Sequence, residues 1–117
     1  MLITFGTVLA LGFVGVGFLL IAVSIPLIAG RVKPNGIYGY RTRKTLSSEP
    51  IWYEANRYAG RELIKAGRVI VIWSFVLALA NIVLRQNAST IATIGMTLVT
   101  VTVFLAVARS FAYVSRL

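Results

Sequence analysis

Apolar residues run without a charge from Leu2 to Ala29, from Val69 to Leu84 and from Ala88 to Ala108, and polar residues collect between the first run and the second. A membrane-spanning helix takes about 20 apolar residues, with a range of roughly 17–25. The first and third runs meet that length. The second reaches only about 24 Å at helical rise, but Arg68 and Arg85 bracket it and can snorkel to the interfaces. The pattern predicts transmembrane helices over residues 3–29, 68–85 and 89–110. The first run lacks a basic n-region and exceeds a signal-peptide h-region, so it reads as a retained helix rather than a cleaved leader. Pro26 is expected to kink it near its end.

Residues 31–67 form the polar stretch, and they divide in two. Arg31 to Ser48 is rich in turn residues and reads as irregular. Within it, Pro34-Asn35-Gly36 is a turn candidate, because proline presets φ and the next two residues tolerate positive φ. Thr45 to Ser48 supplies helix-capping side chains, and Pro50 suits a first helical turn. From there Trp52, Ala55, Asn56, Ala59, Leu63 and Ala66 fall on one helical face, and Glu54, Arg57, Arg61, Lys65 and Arg68 on the other. This predicts an amphipathic interfacial helix, with Gly60 or Gly67 as the bend into the second span. The fold class is thus an all-α membrane protein in one domain, residues 1–117, with three transmembrane helices plus that surface helix.

Composition agrees. Of 117 residues, 58% are hydrophobic and 13% charged, against about 45–50% and about 25% in soluble domains. The net charge of +9 is unevenly placed. Between Arg31 and Arg68 nine cations face three glutamates, a net of +6, while no basic side chain precedes Arg31. By the positive-inside rule the polar stretch and the C-terminus are cytoplasmic and the N-terminus is outside. A basic amphipathic helix there would rest on anionic headgroups of the lipid bilayer. Topology thus accounts for the charge, and nucleic acid is not expected as a partner. With no cysteine and no histidine, the chain lacks the commonest metal ligands and the usual general base. No metal or other cofactor is expected.

Polar groups inside the spans ask for a reason. Asn81 shares a face with Ser74, Ala78 and Arg85, and Thr90, Thr93, Thr97 and Thr100 form a second stripe. Gly15, Ala22 and Ala29 repeat at seven residues in the first run. Packing between helices is the favoured account, with small residues permitting close approach and amides or hydroxyls bonding across. A polar pore is the other. No carboxylate lies in any of the three runs, which counts against a proton-coupled transporter.

Charge does not explain Asn35, Tyr38, Gly39, Tyr40 and Arg41, nor Trp52 and Asn56 one turn apart on the apolar face. Asparagine is poorly suited to lipid contact and well suited to holding backbone groups. The turn segment is therefore expected to fold back on the helix as a cap, either rigid and empty or with a pocket for a ligand. At these residues the sequence resembles the SdpI family of small bacterial membrane proteins. The resemblance rests on Lys33-Pro34-Asn35, Tyr38-Gly39-Tyr40-Arg41-Thr42, Trp52, Asn56-Arg57 and Gly60, and extends over about residues 10–108. It implies immunity to a secreted peptide toxin, or signalling through a cytoplasmic repressor held at the membrane, as for the family's namesake. That namesake is longer, with further spanning helices, which a homo-oligomer of this chain would supply.

The expected function is therefore a non-enzymatic immunity or signalling protein, with Arg41, Trp52, Asn56 and Arg57 foremost in its site. Two alternatives stand beside it. One is a membrane enzyme or small-solute transporter with Glu49, Glu54, Arg41 and Asn56 lining a cavity. The other is an assembly subunit that docks membrane partners through small-residue stripes.

Overall fold

The computed structural model describes residues 4–84 and 87–117. Arg85, expected to flank the second span, lies outside the described residues, as do the first residues of the first apolar run. Three helices form: α1 (Phe5–Ile28), α2 (Glu49–Leu84) and α3 (Ala88–Val114). All three are long and apolar enough to cross a membrane. Local chemistry sets their ends. Thr4 accepts from Thr7 N at 3.2 Å to start α1, and Asn87 accepts from Thr90 N at 2.7 Å to start α3. Ser48 Oγ accepts from Ile51 N at 3.3 Å to start α2, as the capping residues ahead of Pro50 predict. α1 runs through Pro26 and ends in a Schellman turn: Gly30 adopts φ 71°, and Gly30 N and Arg31 N donate to Leu27 O and Pro26 O.

The separate interfacial helix does not form. α2 is one helix of 36 residues, about 54 Å long, and it matches the 55 Å long axis of the molecule. Neither Gly60 nor Gly67 bends it. A lone glycine weakens a helix by only about 1 kcal/mol, and here both glycines are buried against α1. A hydrocarbon core of about 30 Å cannot hold the whole of α2. Its apolar half from Val69 fits such a core, and its first half continues beyond it. The amphipathic pattern was legible, but its apolar face meets protein: Trp52, Ala55, Asn56, Ala59 and Ala66 are all buried.

α1 packs most extensively on α2, along a seam of small residues. Ala10, Gly17 and Ser24 repeat at seven on α1, and Gly60, Gly67, Ser74 and Asn81 repeat at seven on α2, all buried. A seven-residue repeat keeps one stripe facing a partner helix along its length. The two backbones nearly touch. A Cβ on Gly67 would stand 2.6 Å from Gly17 O, one on Gly17 would stand 2.7 Å from Gly67 O, and one on Gly60 would stand 3.2 Å from Ser24 O. At the far end Asn81 Nδ2 donates to Thr4 Oγ1 and Thr7 Oγ1, each at 2.9 Å. Asn81 therefore serves helix packing, as expected.

The other two stripes do not. Gly15, Ala22 and Ala29 are exposed, as are Thr93, Thr97 and Thr100. The seven-residue period in α1 was read in the wrong phase, two residues away from the seam. On α3 the packed face carries Ile91, Gly95, Ala106, Ser110 and Val114, with the Phe13 ring against Gly95. An outward threonine satisfies its hydroxyl within its own helix: Thr93 Oγ1 donates to Ser89 O at 2.9 Å. Large apolar side chains such as Phe18, Leu19, Ile72, Phe75, Leu79 and Phe104 project outward from all three helices. Soluble monomers rarely show so much contiguous apolar surface, and a bilayer covers it.

Candidate cap and apolar cavity

The segment from Arg31 to Ser48 has no helix or strand of its own, so its backbone groups need other partners. Asn35 supplies four. Its Nδ2 donates to Lys33 O at 2.6 Å and Tyr38 O at 3.0 Å, and its Oδ1 accepts from Ile37 N at 2.8 Å and Tyr38 N at 2.7 Å. The turn is therefore built by the asparagine side chain. Gly36 does not take positive φ; Gly39 does, at 118°. A second local lock joins Thr42 and the fully buried Thr45, whose Oγ1 accepts from Thr42 N at 2.7 Å while Thr45 N donates to Thr42 Oγ1 at 3.2 Å.

α2 clamps the folded turn through two side chains. Trp52 is fully buried, and its Nε1 donates to Val32 O at 2.8 Å. Asn56 Oδ1 accepts from Tyr40 N at 2.6 Å, and its Nδ2 donates to Trp52 O at 2.9 Å. Between them lies Gly39. A Cβ there would stand 2.8 Å from Asn56 Oδ1 and 3.1 Å from the Trp52 ring, so both space and φ call for glycine. Tyr38 reaches the other way, its hydroxyl donating to Val23 O of α1. The loop is thereby tied to α2, the helix on which it was expected to fold, and also to α1.

Beneath Tyr38-Gly39-Tyr40 lies an apolar cavity of about 240 Å³. Val23 and Leu27 of α1, Ala59 and Leu63 of α2, and Ala106, Val107 and Ser110 of α3 complete its walls. Its volume approaches the lower end of ligand pockets, about 300 Å³. Burial raises the Tyr40 phenol above its ordinary pKa, because desolvation disfavours the phenolate. At ordinary pH this residue offers the cavity rim a neutral hydroxyl.

Several sequence-predicted residues stand outside this arrangement. Lys33 and Arg41 are exposed, and Lys33 contributes its carbonyl only. Pro34 is half-buried. Arg57 pairs with Glu54 at 3.5 Å on the half-exposed side of α2. Gly60 belongs to the α1 seam. None of Glu49, Glu54, Arg41 and Asn56 is in the wall of the cavity described above.

The sequence reading missed how α3 is fastened here. Glu62 is 5% exposed and pairs with Arg109 at 3.4 Å and Lys65 at 3.5 Å. Glu54 accepts from Tyr113 Oη at 2.6 Å, and the Tyr113 ring stacks on Tyr58 with centroids 4.0 Å apart. The signal for Glu62 was its position: it continues the series Ala55, Ala59, Ala66 on the face that packs. Its charge drew it into the polar count instead. A buried carboxylate is stable only with such partners.

No solved structure matches this chain. A Bacillus subtilis (strain 168) protein described as uncharacterized protein YfhL is 41% identical over 59 residues, which is 50% of this chain and 54% of that protein. The chain thus spans about half the length of the curated relative it matches. The model of the SdpI/YfhL protein family matches residues 31–113. The match begins just past α1, later than the sequence resemblance suggested, and takes in the whole cap, α2 and the fastened part of α3. This chain belongs to the SdpI/YfhL protein family.

Proposed function

We propose that this integral membrane protein recognises an apolar, membrane-active peptide through the cavity beneath Tyr38-Gly39-Tyr40. In doing so it gives immunity to that peptide or signals its presence through the cationic loop on the cytoplasmic side. The observation that carries this reading is where the family-resembling motif goes. Asn35, Gly39, Trp52 and Asn56 hold Tyr38 and Tyr40 over an apolar space between three helices. An apolar side chain entering from the bilayer would replace lipid contact with protein contact, while the exposed loop cations face a partner in the water phase. The enzyme and transporter alternative loses its support, since none of the residues it needs lines that cavity.

Val107 lines the cavity yet is 49% exposed, so enlarging it should block entry without disturbing packing. Cells sensitive to membrane-active peptides should survive better when they express the chain. Val107→Trp should abolish that protection, while Phe104→Trp, on the outward face, should retain it at equal membrane abundance. Killing unchanged by the wild-type chain across a panel of such peptides would remove the immunity reading. Equal protection by both variants would remove the cavity from it.

A further inference from the structure

A second groove lies at the cationic end, where the end of α1 meets α2. It has a volume of about 260 Å³ and is lined by Ile28 of α1 with Arg61, Ile64, Lys65 and Arg68 of α2. Its three cations occupy successive turns, i, i+4 and i+7, and all are exposed. Lys65 is partly neutralised by Glu62 at 3.5 Å. Among the described residues, no carboxylate lies within ion-pair distance of Arg61 or Arg68. The chain has three acids; Glu54 and Glu62 are engaged elsewhere, and Glu49 stands three turns away at the start of α2. The groove is thus positively charged, and among the described residues Glu62, on Lys65, is the one carboxylate at ion-pair distance from its cations.

Its depth is as specific as its charge. The apolar run of α2 begins at Val69, and α1 ends at Ile28. Arg68 therefore stands at the hydrocarbon edge, and Arg61 about 10 Å further out along the helix. The headgroup layer is about 5–8 Å thick on each side of the hydrocarbon core, so the cations span it. Ile28 and Ile64 give the same groove an apolar wall. Cationic pockets between transmembrane helices at this level suit lipid phosphates.

We infer that this groove is a binding site for one anionic phospholipid of the surrounding bilayer, its phosphate held by Arg61 and Arg68 and an acyl chain lying against Ile28 and Ile64. The guanidinium forks match a phosphate in geometry as well as charge. The lipid would also fill the angle between α1 and α2 beside Gly60, which packs against Ile28 and Ser24. This site shares no lining residue with the cavity beneath the tyrosines.

Native mass spectrometry of the full chain, released from neutral detergent and titrated with defined lipids, tests the assignment. A first molecule of phosphatidylglycerol should bind ahead of phosphatidylcholine by at least about tenfold. Each cation near a membrane surface is worth on the order of fivefold in affinity, so Arg61→Gln with Arg68→Gln should weaken that first binding by about thirtyfold. Arg41→Gln with Arg43→Gln removes the same charge from the loop and should change it by less than about threefold. Arg61→Lys with Arg68→Lys should keep most of the binding. Glycerophosphoglycerol, the headgroup without chains, should not displace the lipid at equal concentration. Equal losses in the two glutamine pairs would reduce the effect to net charge and overturn the site. So would displacement by the headgroup alone, which would mark a free-anion site, or binding without preference for the anionic lipid.

Discussion

Trp52→Ala is expected to destabilise the protein by about 3–5 kcal/mol, the usual range for removing a buried aromatic side chain. The indole is fully buried. Its ring packs on Gly39 and its Nε1 donates to Val32 O, beside Asn56, which accepts from Tyr40 N. The loss should therefore be local as well as global, with the whole turn from Val32 to Tyr40 released. Trp52→Phe separates the terms. It keeps most of the apolar contact and removes the donor, leaving Val32 O without its indole partner, at a cost of about 1–3 kcal/mol. Trp73→Ala is the internal control: that indole is 51% exposed on the outward face and should cost far less. Thermal unfolding in micelles or nanodiscs reads all three. Similar losses from Trp52→Ala and Trp73→Ala would show that position on the fold, rather than apolar area, had been misread.

The second large effect is expected at the helix seam. Gly67→Leu should cost about 3 kcal/mol or more, at or beyond the upper end for overpacking. The obstacle to even its first carbon is a backbone carbonyl, Gly17 O at 2.6 Å, which cannot rotate away as a side chain can. α1 must move off α2, and the Gly60 and Asn81 contacts along the same seam would loosen with it. Gly15→Leu gives the opposite expectation. Nothing lies within 4 Å of a Cβ there, so the change should be neutral or stabilising by up to about 1 kcal/mol through helix propensity. Thermal unfolding of the two variants side by side checks this. Equal destabilisation by both would mean that α1 packs through the Gly15, Ala22, Ala29 face instead.

That pair also shows where the sequence was legible and where it was not. The spans were plain because lipid exposure demands long apolar runs. The period of seven in α1 was plain too, but its phase was not. In a bilayer both faces of a helix are apolar, so hydrophobicity no longer marks the inner face, and small residues occur on both. The structure sets the phase: Ser24, Gly17 and Ala10 of α1 face Gly60, Gly67 and Ser74 of α2 in antiparallel order, a correspondence that α1 alone does not carry.

The cap was legible because asparagine, at positions 35 and 56, is ill suited to lipid and well suited to holding backbone. Arg41, set beside the motif tyrosines, is exposed. Charge hid one residue: Glu62 was counted only with the polar stretch and is buried between two cations. Arg109, its partner, lies 47 positions on, and no local pattern links the two. The unbroken α2 was likewise hidden. Amphipathic and fully apolar stretches read as separate helices, although one helix can pass from a protein-covered, solvent-edged half into lipid without a bend.

The turn bearing the family motif is a fixed lid, clamped to α2 by Trp52 and Asn56, over an apolar space. Amide hydrogen exchange of the full chain in nanodiscs tests it most directly. Tyr40 N, held by Asn56 Oδ1 at 2.6 Å, and Tyr38 N, held by Asn35 Oδ1 at 2.7 Å, should exchange on the order of a hundredfold more slowly than in an unstructured loop. In Gly39→Ala, where a Cβ meets Asn56 and Trp52, that protection should be lost while α2 keeps its own. Free exchange at Tyr38 and Tyr40 in the wild-type chain would contradict the account.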